Sequence, residues 1–436
     1  MGSVGVAEAA QRRIKQCAAI GAPRLVALLG GTTTLADCLT ALGYLVDPRR
    51  AARGPSILEY ERAFAHEIGV RYAYSFWAGR VGLYGLLRAL GVGSGDEVLL
   101  QVPTHVVVAN AIRYAAARPV YVDCRLDSYN MDLEQAERQI TPRTRALVLQ
   151  HTFGIPADID AVLDLARRHR LALIEDCVHA LGAGYDGRPL GSFGQAAFFS
   201  TEETKTISST MGGMVVTDDP ALAARLQRFQ AGCAWPSARL TAGYLLKLIL
   251  YHLLTQPGVH PYPRALYNLV GRRHPLPKAT SGEELRGGRP ANYLLRLSNA
   301  QAALALRQLR RLKANVAHRR LVAEAYRRRL TERGFETPRP PAKAEPAFVR
   351  YPVWVPDKRA ALEAAAPHAM LGTWFDSVLE EAASPARLDY RVGSCPQAEA
   401  ATRHLVNLPT HPRVGQADVE AIVAALAKAA SAARSG

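Results

Sequence analysis

From Gly69 onward the chain switches regularly between two hydrophobic rhythms. Short apolar runs stand at Glu97–Val102, Pro119–Asp123, Ala146–His151 and Leu171–Asp176. Between them, apolar residues recur at helical spacing over Gly79–Leu90, Val106–Ala117, Leu133–Ile140 and Asp158–His169. Runs of that length predict strands, and that spacing predicts helices buried on one face. Gly91–Gly95 supplies the stop after the first of these helices. Gln195–Ser200 and Met214–Thr217 read as further strands and Pro220–Gln230 as one more helix. Strands alternating with helices mean a mostly parallel sheet covered on both faces, so the fold class is α/β.

The flanking segments follow other patterns. Residues 1–55 read as an N-terminal arm with helical patches at Ala7–Ala18 and Leu35–Leu45 and no recognisable chemistry. Ser56 followed by Glu59 predicts a capping box that opens a helix running through Ile68. Residues 56–235 hold the alternating segment and residues 236–290 interrupt it. Residues 291–436 comprise a long helical stretch, Asn299–Leu330, and a smaller α/β domain with Phe348–Val355 and the terminal helix Gln416–Ala430. Inside the interruption, LTAGYLLKLILYHLL at Leu240–Leu254 predicts one apolar helix. It is too short to span a bilayer, which takes about 20 residues. Two readings stay open for it: a buried or dimer-facing helix, or a helix lying in a membrane surface or acting as a hydrophobic substrate flap. Lys247, Arg264, Arg272 and Arg273 around the apolar stretch support the second.

Composition narrows the partners. A length of 436 residues exceeds one small core and implies two domains or one large domain with a substantial appendage. Hydrophobic residues make up 49% and charged residues 21%, a globular balance. The net charge of +16 favours anionic partners such as phosphorylated small molecules or an anionic membrane. No zinc-finger or RNA-binding signature accompanies it, so nucleic acid is not expected. The six cysteines stand without CxxC spacing, which indicates neither a metal site nor a redox pair. With no secretory signal at the start, a cytoplasmic location is expected, with membrane association through residues 240–254 as a possible addition.

The chemistry gathers in Leu171–Thr217. The first strand of this stretch ends on Asp176, the second on Ser200, and Lys205 follows shortly in FFSTEETKTISSTMGGMVV. An acid and a lysine at neighbouring carboxyl ends of an open α/β sheet face one crevice, where ligands of such sheets bind. That pair suits pyridoxal phosphate (PLP): the lysine forms a Schiff base with the aldehyde and the acid pairs with the pyridinium nitrogen. Hydroxyls and backbone amides leading to Gly212–Gly213 suit a phosphate. Alone, Asp176 reads as a helix cap and Lys205 as a solvated loop lysine; together the cofactor reading is better.

These motifs resemble the DegT/DnrJ/StrS-type sugar aminotransferases of PLP fold type I. The match lies in IEDCVHALGA at 174–183, GSFG at 191–194, FFSTEETK at 198–205 and PRTRALVLQHTFGIPADID at 142–160. The resemblance implies a large domain whose mostly parallel, mixed seven-stranded sheet is sandwiched by helices, plus a smaller C-terminal α/β domain. It implies that Lys205 carries the Schiff base and shuttles the proton, and that Asp176 pairs with the pyridine nitrogen. Ser200 would bind the cofactor phosphate. Gly79 and Arg80 stand where the family has a Gly-Thr pair at a helix N-terminus, with Arg80 offering a bidentate phosphate contact. His105 takes the place of an aromatic over the ring, and His179 that of a glutamine touching the ring hydroxyl. Thr210-Met211 replaces the family's Gly-Glu, and Leu294 stands where an asparagine from the partner subunit reaches the phosphate.

The expected activity is PLP-dependent transfer of an amine from an amino acid, glutamate by resemblance, to a keto-sugar, most simply a nucleotide-linked one. A homodimer is expected. A lipid-linked or hydrophobic acceptor is the alternative, and a non-catalytic regulator or scaffold the rival from another class. His151 reads equally as a pocket or a core histidine, and His404 and His411 as structural. Trp77, Trp235, Trp354 and Trp374 read as core or pocket walls, with core the default for each and Trp77, which precedes the phosphate loop, the exception; the arginines at 327–329 read as a solvated helix face.

Overall fold

The computed structural model describes residues 24–264 and 279–435. The helical patch at Ala7–Ala18 and the flanking charges Arg272 and Arg273 lie outside the described residues. Seven strands form the central sheet: β1 (Tyr72–Phe76), β2 (Glu97–Gln101), β3 (Arg118–Val122), β4 (Thr144–Gln150), β5 (Ala172–Asp176), β6 (Ala196–Ser200) and β7 (Gly213–Thr217). Their order across the sheet is β1-β7-β6-β5-β4-β2-β3. The pairs β2–β3, β2–β4, β4–β5 and β5–β6 are parallel, while β6–β7 and β7–β1 are antiparallel. The sheet is therefore mostly parallel and mixed at one edge, with the seven strands expected. Tyr72–Phe76 was not expected as a strand; it is one of the two antiparallel strands on the edge where the βαβ rhythm ends.

Side chains two apart along each strand feed the same core, and their neighbours feed the other. Val98, Leu100, Val148, Ile174 and Phe198 pack on one side with helix Gly79–Leu90 and helix Val106–Tyr114. Leu99, Leu147, Leu149, Leu173 and Phe199 pack on the other with helices Ser56–Ile68 and Ile159–Arg168. Burial on both faces explains why the parallel strands read as continuous apolar runs rather than alternating ones.

Helix Gly79–Leu90 keeps the expected bounds and closes on Gly91, whose left-handed φ of 80° suits a glycine. Helix Ser56–Ile68 also forms, but its expected capping box does not: Pro55 is the N-cap, without a side-chain bond. The Ser56 amide instead donates to Asn299 Oδ1 at 2.9 Å. True capping boxes occur at Thr34/Asp37 and Ser281/Glu284.

The smaller C-terminal unit pairs strands Arg350–Trp354 and Leu405–Pro409 antiparallel and covers them with helices Leu312–Thr331, Lys358–Ala365 and Gln416–Ser435. Its core holds Tyr326, Tyr351, Val353, Leu408 and Ile422. The apolar insertion helix spans Ala238–Leu254. It packs against helix Leu35–Val46, and the two share a separate core of Cys38, Ala41, Leu245, Leu248 and Leu304. No helix among the described residues is long and apolar enough to cross a membrane.

Candidate active site

The site sits at the carboxyl ends of β5 and β6. Their parallel register sets Asp176 opposite Phe198, two residues before Ser200. Helix Gly79–Leu90 points its N-terminus at the same place, and its N-cap residue Ala78 makes no side-chain cap bond. Helix N-terminal amides left in this way favour an anion. Two glycines make the approach possible. A Cβ on Gly213 would fall 2.3 Å from Gly79 N, and one on Gly79 would fall 2.9 Å from Phe199 O.

Gly79, Arg80, His105, Asp176, His179, Ser200 and Lys205 all line a single cavity of about 500 Å³. Asp176 is buried, and its Oδ1 accepts the Val178 amide at 3.1 Å. Its Oδ2 is buried and has no hydrogen-bond partner among the described residues. Burial pushes the Asp176 carboxyl up to about 7, against the opposing pull of the Val178 amide and the Lys205 ammonium. Burial also pushes Lys205 down to about 8, with help from Arg350 and against Glu202 and Asp176. A lysine in that range sheds its proton near neutral pH.

Those features fit PLP. An orphaned, buried carboxylate oxygen suits a protonated ring nitrogen, which supplies the missing donor. A desolvated lysine on the same cavity suits the aldehyde, and the glycine-bounded helix N-terminus suits the phosphate. Ser200 Oγ lies at that end, accepting the Glu202 amide at 3.3 Å.

The histidines are both anchored. His179 is buried and stacks on Trp374, with ring centroids 4.4 Å apart. Its Nδ1 accepts the Phe153 amide at 3.3 Å, which leaves Nε2 to carry the proton in the neutral ring. Burial and the nearby cation Lys205 hold its pKa well below the usual range, so it stays neutral. His105 accepts the Val107 amide and caps its helix, and its Nε2 lies 3.2 Å from Glu381.

Three expectations need correction. The Arg80 guanidinium is not free for a bidentate phosphate contact: it pairs with Glu284 at 2.5 Å and donates to Ala279 O at 2.8 Å. Glu284 is buried and belongs to the insertion, and Arg80 is its counter-charge among the described residues. Lys247, counted among charges flanking a membrane helix, points inward; it is 3% exposed and pairs with Glu203 at 2.6 Å. Trp374 is a wall of the cavity and not core filling, with the Lys205 ammonium 4.4 Å and the Arg350 guanidinium 3.5 Å from its ring centroid.

Among the remaining candidates, His151 is a core residue, 3.4 Å from Glu175 and accepting the Ala157 amide. Glu175 spends its other valences on the amides of Gly191, Phe193 and Gly194, which accounts for its proximity to His151 and Cys177 without a metal. His404 and His411 bond the carbonyls of Val355 and Ala27 and are structural. Trp77 packs edge-on against Tyr244 of the insertion helix.

Residues that sequence reasoning passed over, together with the misread Lys247, complete the cavity. Glu203, Lys247 and Tyr251 line it from the lysine loop and the insertion helix, and Thr280 and Glu381 from farther along the chain. Burial and the adjacent Glu202 push Glu203 up to about 7, while Lys247 pulls it down. Tyr251 donates a hydrogen bond to the same carboxylate. The signal available in the sequence was a lone lysine inside an otherwise apolar helix, a position that burial tolerates only with a partner.

Comparison with known proteins gives the same frame. A model of the DegT/DnrJ/EryC1/StrS aminotransferase family matches residues 36–248 and 264–427. The chain is 30% identical over 388 residues to GDP-perosamine synthase of Caulobacter vibrioides, covering 86% of this chain and 90% of that protein. It is 39% identical over 198 residues to L-glutamine:scyllo-inosose aminotransferase of Streptomyces griseus, 45% of this chain and 47% of that one. The solved structure of S. venezuelae DesV superposes with a TM-score of 0.70 at 27% identity, covering 90% of this chain and 94% of the other.

Proposed function

The chain belongs to the DegT/DnrJ/EryC1/StrS aminotransferase family and is a PLP-dependent aminotransferase; from that premise we propose that it moves the amine of an amino acid onto a keto-sugar carried by a nucleotide. The observation that supports the reading most is Asp176 Oδ2, buried and without a partner among the described residues, beside a lysine whose pKa is lowered to about 8.

When bound, PLP holds the electrons released as a proton leaves the carbon bearing the amine. The chain's own residues have matching tasks. The Asp176 carboxylate holds a proton on the ring nitrogen. His179, neutral and with its proton on Nε2, donates to the ring oxygen. Ser200 and the amides at Gly79 and Arg80 take the phosphate, and Arg80 itself braces Glu284. His105 borders the ring and is steadied by Glu381. Lys205 takes the proton from the donor carbon and returns it during the second half, where the acceptor's carbonyl oxygen leaves as water. The exchange balances an amine against a ketone and needs no outside oxidant.

The nucleotide-linked acceptor draws support from the relative named GDP-perosamine synthase and from the chain's net charge of +16. Glutamate is the proposed donor, and a homodimer belongs to the same reading. The test is incubation with glutamate or glutamine and a panel of nucleotide-linked keto-sugars, followed by mass spectrometry. An aminated sugar with a stoichiometric keto acid is expected; no aminated product from any member of the panel would overturn the substrate class.

A second reading, a lipid-linked acceptor, is favoured by one feature. Helix Leu35–Val46 exposes Leu35, Leu39, Leu42 and Val46, and its one charged residue, Asp37, is buried against Arg307 and Arg311. The neighbouring insertion helix exposes Leu246, Leu253 and Leu254. Exposed Arg49, Arg50 and Arg239 flank these helices and have no carboxylate partner among the described residues. An apolar face rimmed by arginines suits the surface of an anionic bilayer.

A further inference from the structure

The insertion helix Ala238–Leu254 turns a polar patch toward the cavity. Lys247 and Tyr251 stand one turn apart on it, so their side chains leave on the same side. Both line the cavity that holds Lys205, and so does Glu203, two residues before that lysine. The Lys247 ammonium lies 2.6 Å from Glu203 Oε2, and the Tyr251 hydroxyl donates to the same carboxylate. The ammonium also lies over the Tyr251 and Tyr244 rings, 5.3 and 5.7 Å from their centroids. The side chains of Lys247 and Glu203 are 3% and 13% exposed. Leu245 and Leu248 of the same helix pack instead with Cys38 and Leu304.

A buried ion pair is a poor way to hold a helix in place, because apolar residues of similar volume do so without loss. The trio is better explained by what it presents. An ionised carboxylate has about four lone-pair sites, and Lys247 and Tyr251 engage two of them. That leaves acceptor capacity on a group whose position two partners fix. Charge decides what approaches it. Glu202 lines the same cavity beside Glu203, so an anion entering there meets two acids of its own sign. The carboxylate of an amino donor is disfavoured at this spot, and so is a phosphate. A hydroxyl is a neutral donor and gains a charge-assisted bond to such an acceptor. Of the two substrates, the keto-sugar is the one rich in hydroxyls. Glu203 and Lys205 leave the backbone no more than roughly 8 Å apart. A ketone worked on by Lys205 therefore brings its neighbouring ring hydroxyl toward Glu203, and not a group far along the molecule.

We propose that Glu203, braced by Lys247 and Tyr251, reads a hydroxyl of the acceptor beside its reacting ketone. Glu203 is then a specificity-determining residue, and Lys247 and Tyr251 position it. The assignment rests on the aminotransferase reading and deepens it: the insertion helix takes part in choosing the acceptor and leaves the donor alone.

The experiment measures kcat/KM for glutamate and for two probes, a GDP-linked 4-keto-hexose and its 3-deoxy analogue, which lacks the hydroxyl beside the ketone. The proteins are wild type, Glu203→Gln, and Glu203→Leu combined with Lys247→Met, which swaps the pair for apolar residues and leaves neither charge unpaired. Wild type should favour the hydroxylated probe roughly 10- to 100-fold, the value of one hydrogen bond to a charged group. Glu203→Gln should shrink that preference and the double variant should abolish it, chiefly by slowing the hydroxylated probe. The glutamate value should stay unchanged throughout. Wild type without the preference, or a double variant that keeps it, would overturn the assignment, as would an equal fall for glutamate. Cofactor absorbance after glutamate alone reports the donor half, so a wild type that fails there fails the aminotransferase reading and not this one.

Discussion

One wall of the central cavity is made by strand ends of the parallel sheet, and the opposite wall by segments that arrive from outside it. On the first wall, Asp176 and Ser200 stand on adjacent parallel strands whose register is fixed by hydrogen bonds. On the second, Glu203 meets Lys247 of the insertion helix, and Arg80 meets Glu284 from 204 positions away. In the proposed reaction the first wall serves the cofactor, whose needs are the same in every turnover. The second touches whatever else enters. A sheet can keep the common chemistry rigid while an insertion reshapes the pocket, because Leu245 and Leu248 of the insertion pack with Cys38, Ala41 and Leu304 in a cluster apart from the sheet.

Substitutions on the two walls should therefore differ in kind. Lys205→Ala should lower amine transfer by roughly 10²- to 10⁴-fold, measured by keto-acid release, with unfolding behaviour little changed. If Lys247→Met had the same effect, the division between the walls would be wrong.

Asp176 gives the next effect, and its sign can be worked out. Its carboxyl titrates near 7 in the folded, cofactor-free chain against about 4 when unfolded. The folded state therefore binds more protons between those values. Stability from this group is complete below about 4 and is lost as pH rises through 7, by up to roughly 4 kcal/mol. Urea unfolding of cofactor-free protein across pH 4–8 should reveal the decline, and Asp176→Asn should flatten it. Added PLP should oppose the decline, since it favours the ionised acid.

On the other wall, Lys247→Met leaves Glu203 buried with Tyr251 but without its cation. A loss of roughly 3 kcal/mol in unfolding free energy is expected. Replacing both partners, Lys247→Met with Glu203→Gln, should recover much of it; if the pair adds nothing, the double and single variants will unfold alike. The smallest effect concerns the outer faces of the same helices. Leu39→Asp with Leu253→Asp should reduce sedimentation with phosphatidylserine vesicles and leave it unchanged with neutral ones. Each rim arginine is worth about 1 kcal/mol of attraction to such a surface. Wild type that ignores both vesicle types would end the lipid-linked reading.

The first wall was legible before any coordinates. Strand ends can be located from apolar runs, so Asp176 and Ser200 are marked by where the runs stop, and Lys205 by its distance from one of them. The period-2 split of Val98 and Leu99 between opposite cores was implicit in the same runs. The second wall was not legible, because pairings such as Arg80 with Glu284 depend on how the insertion folds back, which no local pattern encodes. Lys247 was misread for a related reason: among apolar neighbours a lysine looks like a membrane flank until its acid is found. Arg350 and Trp374 come from the C-terminal unit and carry no motif of their own. The edge strand Tyr72–Phe76 escaped because its antiparallel pairing breaks the alternation that revealed the others.

In the proposed reaction Asp176 and Lys205 hold PLP and present it to an amino donor. Visible absorbance of the purified protein tests it directly. Wild type should carry the colour of lysine-bound cofactor and lose it when glutamate is added, and Lys205→Ala should never develop it. Wild type that takes up no PLP, or a Lys205→Ala spectrum identical to wild type, would contradict the claim.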